Sequence, residues 1–279
     1  MQVYRHMDIG SAKIRPEEMQ GVPHHLVDCL EPDEEFNVVR FQQMAKEAMK
    51  GIYDRGRIPV LVGGTGFYIQ AVTGDIDFTV HGEDTTYRQM LEEKAKTEGA
   101  QVLHEMLAAV DPASAAAIHA NNVKRVIRAL EYYRQTGKPI SQHNEEQRQK
   151  ESPYNLAYFV LNDERTRLYE RIDARIDQML AEGLIDEVKT LKEMGYHKGM
   201  VSMQGLGYKE ILSYLDGTWP LEEAIYVLKR DTRHFAKRQI TWFKRERQVE
   251  WFDKQDFGYD AQAILDAMLA SLREKKIIR

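Results

Sequence analysis

Apolar positions along this chain recur at two different periods, and each switch of period marks a new element. After Asn37, a residue type suited to an N-cap, Val38, Phe41, Met44, Ala45, Ala48 and Ile52 fall at helical spacing and predict a helix to about residue 54, stopped by Gly56. The run Ile58-Pro59-Val60-Leu61-Val62 has no polar alternation, which predicts a strand over 58–62 covered on both faces. It passes into Gly63-Gly64-Thr65-Gly66 and then a helix beginning near Phe67-Tyr68. Residues 25–30, after Pro23, also read as a strand, whereas Met1-Gln2-Val3-Tyr4 opens with neither a capped helix nor a leading strand. Strand, helix and strand in alternation predict an α/β layer fold.

The pattern changes near Gly74-Asp75-Ile76-Asp77. From Asp84 to Gly137 only helical spacing is present, with helices over 85–98, 100–109 and 122–136 and a short turn from Pro112. A glutamine-rich stretch without periodicity, 141–152, follows. Residues 77–152 therefore read as a helical insertion between core segments 1–76 and 153–279. Strand character returns over 155–161, followed by helices over 164–181 and 184–194, with Gly183 as the stop between them. A glycine-bearing loop leads into another helix, Pro220 starts a long helix to about residue 245, and 249–252 and 260–275 read as a last strand and a terminal helix. Four strands are few for an open α/β sheet, and none precedes a G-x-x-x-x-G-K-[ST] phosphate loop.

Composition narrows the class. The chain has 279 residues, 43% hydrophobic and 30% charged, enough for a sizeable core. No apolar run approaches a membrane span of about 18 residues. One cysteine, Cys29, excludes an internal disulfide and fits a reducing cytoplasm. A net charge of −5 means that a nucleic-acid partner needs a local basic surface.

Such surfaces exist. On the long C-terminal helix Arg230, Arg233, Lys237, Thr241 and Lys244 share a face, with His234 beside them and Trp242-Phe243 at the end. That spacing suits a phosphate backbone, or else a solvated face with its aromatics in the core. In the helix over 122–136, Val123, Val126, Ile127, Leu130 and Tyr133 form an apolar stripe, and Lys124, Arg125 and Arg128 point away from it. Arg167, Arg171 and Arg175 recur every fourth residue on the helix over 164–181. Like charges at that spacing repel unless neutralised, either by Glu170, Asp173 and Asp177 or by a diphosphate. The glycines of 63–66 and the helix after them are either an anion cradle or a plain turn. His24-His25 with Asp28 resembles a metal cluster only superficially, since adjacent strand residues face opposite ways.

Several motifs together resemble the bacterial tRNA dimethylallyltransferases, the tRNA isopentenyltransferase family: Met1-Gln2-Val3-Tyr4, Met7-Asp8-Ile9-Gly10-Ser11-Ala12-Lys13, Pro23-His24-His25-Leu26-Val27-Asp28, Val62-Gly63-Gly64-Thr65-Gly66-Phe67-Tyr68, Lys124-Arg125-Val126-Ile127-Arg128-Ala129-Leu130-Glu131, Gly205-Leu206-Gly207-Tyr208-Lys209 and Lys237-Arg238-Gln239-Ile240-Thr241-Trp242-Phe243. The resemblance implies transfer of a dimethylallyl group from dimethylallyl diphosphate to N6 of adenosine 37 of tRNA, with Mg2+ and release of diphosphate. It implies a P-loop-NTPase-like open parallel sheet core with an inserted helical subdomain. By position, Arg175 matches the arginine that holds diphosphate and Thr65 the threonine beside the adenosine. Met1, Gln2, Arg88, the strip 124–128, the loop Gln204 to Lys209 and the helix Lys237 to Lys244 match tRNA-contact segments. The family's P-loop, first strand and general-base aspartate would precede Met1, so this chain as written is expected to be inactive. A monomer in the cytoplasm is expected. The alternatives are a prenyltransferase acting on free adenine nucleotides and a non-catalytic tRNA-binding remnant.

Overall fold

A computed structural model describes residues 1–78 and 85–279; Asp84, the expected first residue of the helical stretch, lies outside them. In chain order the helices are α1 (Val38–Asp54), α2 (Gly66–Thr73), α3 (Thr85–Thr97), α4 (Ala100–Val110), α5 (Pro112–Ala117), α6 (Val123–Thr136) and α7 (Ile140–Gln149). Strand β1 (Tyr158–Asn162) follows, then α8 (Arg165–Ala181), α9 (Leu184–Glu193), α10 (Tyr208–Leu215), α11 (Leu221–Phe243), β2 (Val249–Asp253) and α12 (Ala261–Glu274). It is a mixed α/β fold with a small parallel sheet and many helices. The chain divides into two compact units, one of Met1–Val72 with Tyr154–Arg279, the other of Thr73–Pro153. No helix of the described residues is long and apolar enough to cross a membrane.

In the first unit β1 and β2 pair in parallel, from Tyr158 opposite Val249 to Asn162 opposite Asp253. The two other expected strands are corrected. Residues 58–62 form no ladder with any strand of the described residues, and Val60 and Val62 are 80% and 88% exposed. A strand is made by its partner's hydrogen bonds, and none of the described strands lies alongside. In 25–30 only Leu30 bridges, to Tyr4, because Leu26 and Asp28 take positive φ angles of 62° and 52° that a strand cannot hold. The opening residues gain order from this pairing, since Cys29 and Leu30 both donate their N–H groups to the Val3 carbonyl.

The core of this unit gathers Val3, Tyr4, Met7 and Leu30 with Ile176, Leu184, Val188, Leu191, Met203, Tyr208, Ile211, Leu212 and Leu228. Segments far apart in sequence thus share one core, where each fully buried aliphatic side chain contributes about 1.5–3 kcal/mol. Asn37 caps α1 as expected, accepting from the Val39 and Arg40 amides. Gln42 of α1 donates to the Ala71 carbonyl of α2 at 2.7 Å. Tyr68 stands against Phe41 and Phe36 with ring centroids 4.9 and 6.1 Å apart. These contacts seat α2, and with it the glycine turn.

The second unit is helical. Leu91, Leu103, Leu107, Val126, Ile127 and Leu130 form its centre. The stretch 141–152, read as glutamine-rich and without periodicity, is largely helical: Ile140–Gln149 form α7. Its glutamines and glutamates favour helix and pair four apart, as in Gln142 with Glu146, but no apolar stripe betrays it because none of its residues is buried. Asp111 ties it down by accepting from the Ser141 amide and hydroxyl while capping α5 at Ser114.

Candidate active site

The glycine turn is built against α11. Gln239 of α11 donates its side-chain amide to the Gly64 carbonyl at 2.8 Å. A Cβ on Gly64 would land inside the Gln239 carboxamide, and one on Gly66 inside the Trp242 indole. Neither glycine has a positive φ, so room rather than torsion requires them. Phe67 meets Trp242 edge to face with centroids 6.3 Å apart. The Thr65 carbonyl accepts from the Tyr68 and Ile69 amides, which starts α2, and the Thr65 side chain is exposed.

The basic face of α11 is split by its partners. Arg233 holds both oxygens of Asp173 at 2.6 and 2.8 Å. Lys229 pairs with Asp177 and Arg230 with Asp231. The expected continuous stripe is therefore corrected: its first half is neutralised, largely by acids of α8. Beyond it Lys237, Arg238, Lys244 and Arg245 are exposed and pair with no carboxylate of the described residues. His234, Lys237, Arg238, Thr241, Trp242 and Arg245 line a shallow groove of about 380 Å³ there. Ile240 is half-buried, and Phe243 is core, edge-on to Tyr158 at 6.2 Å.

The three arginines of α8 separate in the same way. Arg167 stacks on the Tyr259 ring at 3.8 Å, and Arg171 reaches the buried Asp163 at 3.3 Å. Arg175 is exposed and forms no ion pair among the described residues. Asp173 and Asp177, expected as local neutralisers, turn to α11 instead.

A third cluster joins the first residues to the loop before α10. A Cβ on Gly205 would press on the Met1 side chain, and one on Gly10 on the Tyr208 ring. Glu187 of α9 gathers the Asp8 and Ile9 amides on one oxygen, at 2.9 and 2.7 Å, and the Gly10 amide and Tyr208 hydroxyl on the other, at 3.1 and 2.8 Å. Burial, and then the Glu187 charge, push the Tyr208 phenol far up, so it stays protonated and donates. The loop so fixed presents the Ala12 carbonyl to the Gln2 side-chain amide at 2.7 Å. Glu187 carries no signal in the sequence, because acids in a first helical turn are common.

In the loop itself, Gln204 donates to the Lys198 carbonyl and Leu206 is half-buried. Gly207 takes φ 95°, a left-handed value that favours glycine, and donates its N–H to Glu210 at 2.9 Å. Lys209 lies 3.3 Å from Glu210 and 3.7 Å from Asp231. Tyr208 is fully buried.

In the helical unit Lys124, Arg125 and Arg128 are exposed along α6, while Val126 and Ile127 are buried in the core. Arg88 lays its guanidinium on Glu131 through two bonds of 2.9 and 2.7 Å. Within the segments expected to contact tRNA, Val126, Ile127, Tyr208 and Phe243 are buried, and they hold the exposed members in place.

No group of three histidine, cysteine, aspartate or glutamate side chains among the described residues could hold a metal ion. Asp8 and Asp28 both bind the buried Lys13 ammonium. Magnesium is held through one or two carboxylates plus substrate phosphates, a smaller set of protein ligands than such a group.

The IPP transferase family model matches residues 2–246. The chain is 63% identical to a tRNA dimethylallyltransferase of Lachnoclostridium phytofermentans over 279 residues, 100% of this chain and 89% of that one. It is 52% identical to a tRNA dimethylallyltransferase of Carboxydothermus hydrogenoformans over 253 residues, 91% and 81% of the two chains. Among solved structures it is similar to the full-length tRNA isopentenylpyrophosphate transferase of Bacillus halodurans, with TM-score 0.71 and 47% identity over 99% of this chain and 86% of that one. It is also similar to a eukaryotic dimethylallyltransferase acting on tRNA, with TM-score 0.80 and 29% identity over 96% and 69% of the two chains.

Proposed function

The chain belongs to the IPP transferase family and its activity is tRNA prenylation, and we propose that Arg175, Thr65 and two sets of free cations divide that work among them. In the reaction a bond forms between the first carbon of the dimethylallyl group and the adenine amine N6, the bond from that carbon to diphosphate breaks, and N6 gives up one proton to water or to the departing diphosphate. Negative charge grows on the leaving oxygens. Arg175 meets it, because a guanidinium binds phosphate oxygens in pairs and keeps its charge at any working pH. The observation that carries this role is its freedom: Arg167 and Arg171 of the same helix are committed to Tyr259 and Asp163.

Thr65, exposed on the glycine turn, orients the adenine of the target nucleotide, adenosine 37. That base must leave its stack to be reached, at a cost of a few kcal/mol. Lys237, Arg238 and Lys244 meet the RNA backbone and offset that cost, and Lys124, Arg125 and Arg128 give the helical unit a cationic face of its own for RNA. Met1, Gln2 and the loop 204–209 form a further wall, set by the Glu187 clasp. The core is of the P-loop type with residues 77–152 as its insertion, and the enzyme works as a cytoplasmic monomer. The family's magnesium would add charge neutralisation on the diphosphate.

The test compares Arg175→Ala with Arg167→Ala for inorganic diphosphate affinity and for prenylation of an anticodon stem–loop. Arg175→Ala is expected to lower both at least tenfold, and Arg167→Ala to change them less than threefold. Equal losses in both variants would remove the special role of Arg175. Transfer to AMP as fast as to RNA would make the acceptor a free nucleotide.

A further inference from the structure

We propose that Gln239 and Trp242 are positioning residues for the Gly63–Gly66 turn, and that the docking helix α11 thereby sets the Thr65 hydroxyl while its outer face takes RNA. The inference rests on the reading of Thr65 and α11 given above and assigns a different task to two residues of the α11 motif.

At 100° per residue Lys237 and Arg238 of α11, continued by Lys244 and Arg245 in the turn that ends it, occupy one arc, and Gln239 and Phe243 lie across the axis. Trp242 sits at the border between these arcs. Phe243 is in the core, Gln239 bonds the Gly64 carbonyl, and the Trp242 ring covers Gly66 and meets Phe67. Residues 58–62, which lead into the turn, pair in a ladder with no strand among the described residues. The turn is thus fixed on one side by the start of α2 and on the other by two side chains of α11. A side chain whose donor is engaged with a protein carbonyl, and which stands opposite the cationic arc, acts on the turn and not on RNA. The absent Cβ atoms of Gly64 and Gly66 support this, since they leave the space that the carboxamide and the indole fill.

A rigid helix that carries both functions couples them. RNA drawn onto the outer arc loads the same element that holds Thr65, and misplacing a reacting group by about 1 Å can cost about 100-fold in rate. Loss of Gln239 should therefore appear in kcat and not in RNA affinity.

The experiment uses the full chain with Gln239→Ala, Gln239→Glu, Gly64→Ala and the double variant Gly64→Ala with Gln239→Ala. Gly64→Ala expels the carboxamide, so it and Gln239→Ala remove the same bond and should not add. Amide hydrogen exchange over residues 64–69, measured without substrate, is expected to rise about tenfold in each single variant and no further in the double. Anticodon stem–loop Kd is expected to stay within about twofold, and kcat to fall about tenfold. Unchanged exchange over 64–69 in Gln239→Ala, or fully additive effects in the double variant, would overturn the proposal. So would a tenfold weaker Kd at unchanged kcat, which makes Gln239 an RNA contact. Should wild-type chain fail to prenylate RNA at all, the exchange and Kd data alone decide whether Gln239 holds the turn or contacts RNA.

Discussion

Tyr208 donates its buried hydroxyl to Glu187 at 2.8 Å, and the same carboxylate collects three consecutive amides from residues 8–10. One acid on α9 therefore joins the first loop of the chain to the loop before α10.

Removing that acid should free both loops. Glu187→Ala is expected to cost about 3 kcal/mol, because charge-assisted bonds contribute about 1.5–3 kcal/mol each and several donors lose their acceptor at once. Tyr208→Phe should cost about 1 kcal/mol, leaving the three amide bonds in place. Urea unfolding measures both, and hydrogen exchange at residues 8–10 should rise in the first variant only.

The two halves of the α11 basic stretch should respond differently to substitution. Lys237→Ala and Arg238→Ala are each expected to reduce the salt slope of tRNA affinity by about 1. Arg233→Ala should leave the slope in place and lower stability by about 1 kcal/mol, since it strips Asp173 of a partner in a half-exposed pair. Binding titrations between low and moderate salt, with thermal melts alongside, check the contrast.

Arg88 should prove structural within the helical unit. Arg88→Ala leaves Glu131, 6% exposed, without the fork that holds it and should cost about 1–2 kcal/mol. Adding Glu131→Gln removes the stranded charge and should recover part of the loss. A double variant no more stable than Arg88→Ala would place the value of Arg88 outside this pair.

Glu210 makes stability depend on pH in a definite direction. Its side chain is 1% exposed, and burial raises its carboxyl above the ordinary 4.5 despite Lys209 and the Gly207 amide. The folded state thus holds this proton more tightly than the unfolded state, so the contribution of the group is most favourable below 4.5 and is lost as pH rises through the raised value. Glu210→Gln keeps an acceptor for Gly207 and removes the titration. The Tm of Glu210→Gln minus that of wild type should increase as pH rises from about 4 to 7. A constant difference would show that Glu210 does not titrate in this range.

The helices with a buried face were legible in the sequence because burial leaves a 3.6-residue period, whereas α7, with none, was not. Val126, Ile127 and Leu130 are buried where their stripe predicts, and Lys124, Arg125 and Arg128 are exposed beside them. Glycines at 63, 64 and 66 announced a close approach, and the recurrence of arginines on α8 announced a need for anions. None of these patterns names a partner. Only the tertiary structure decided that Asp173 neutralises Arg233 from 60 positions away, and that the space at Gly64 belongs to Gln239, 175 positions away. It also decided that 58–62 runs without a ladder, for β pairing, like a salt bridge, depends on a second segment that periodicity cannot see. Sequence periodicity records which side of an element is buried, and the fold alone sets which charges remain free for a ligand.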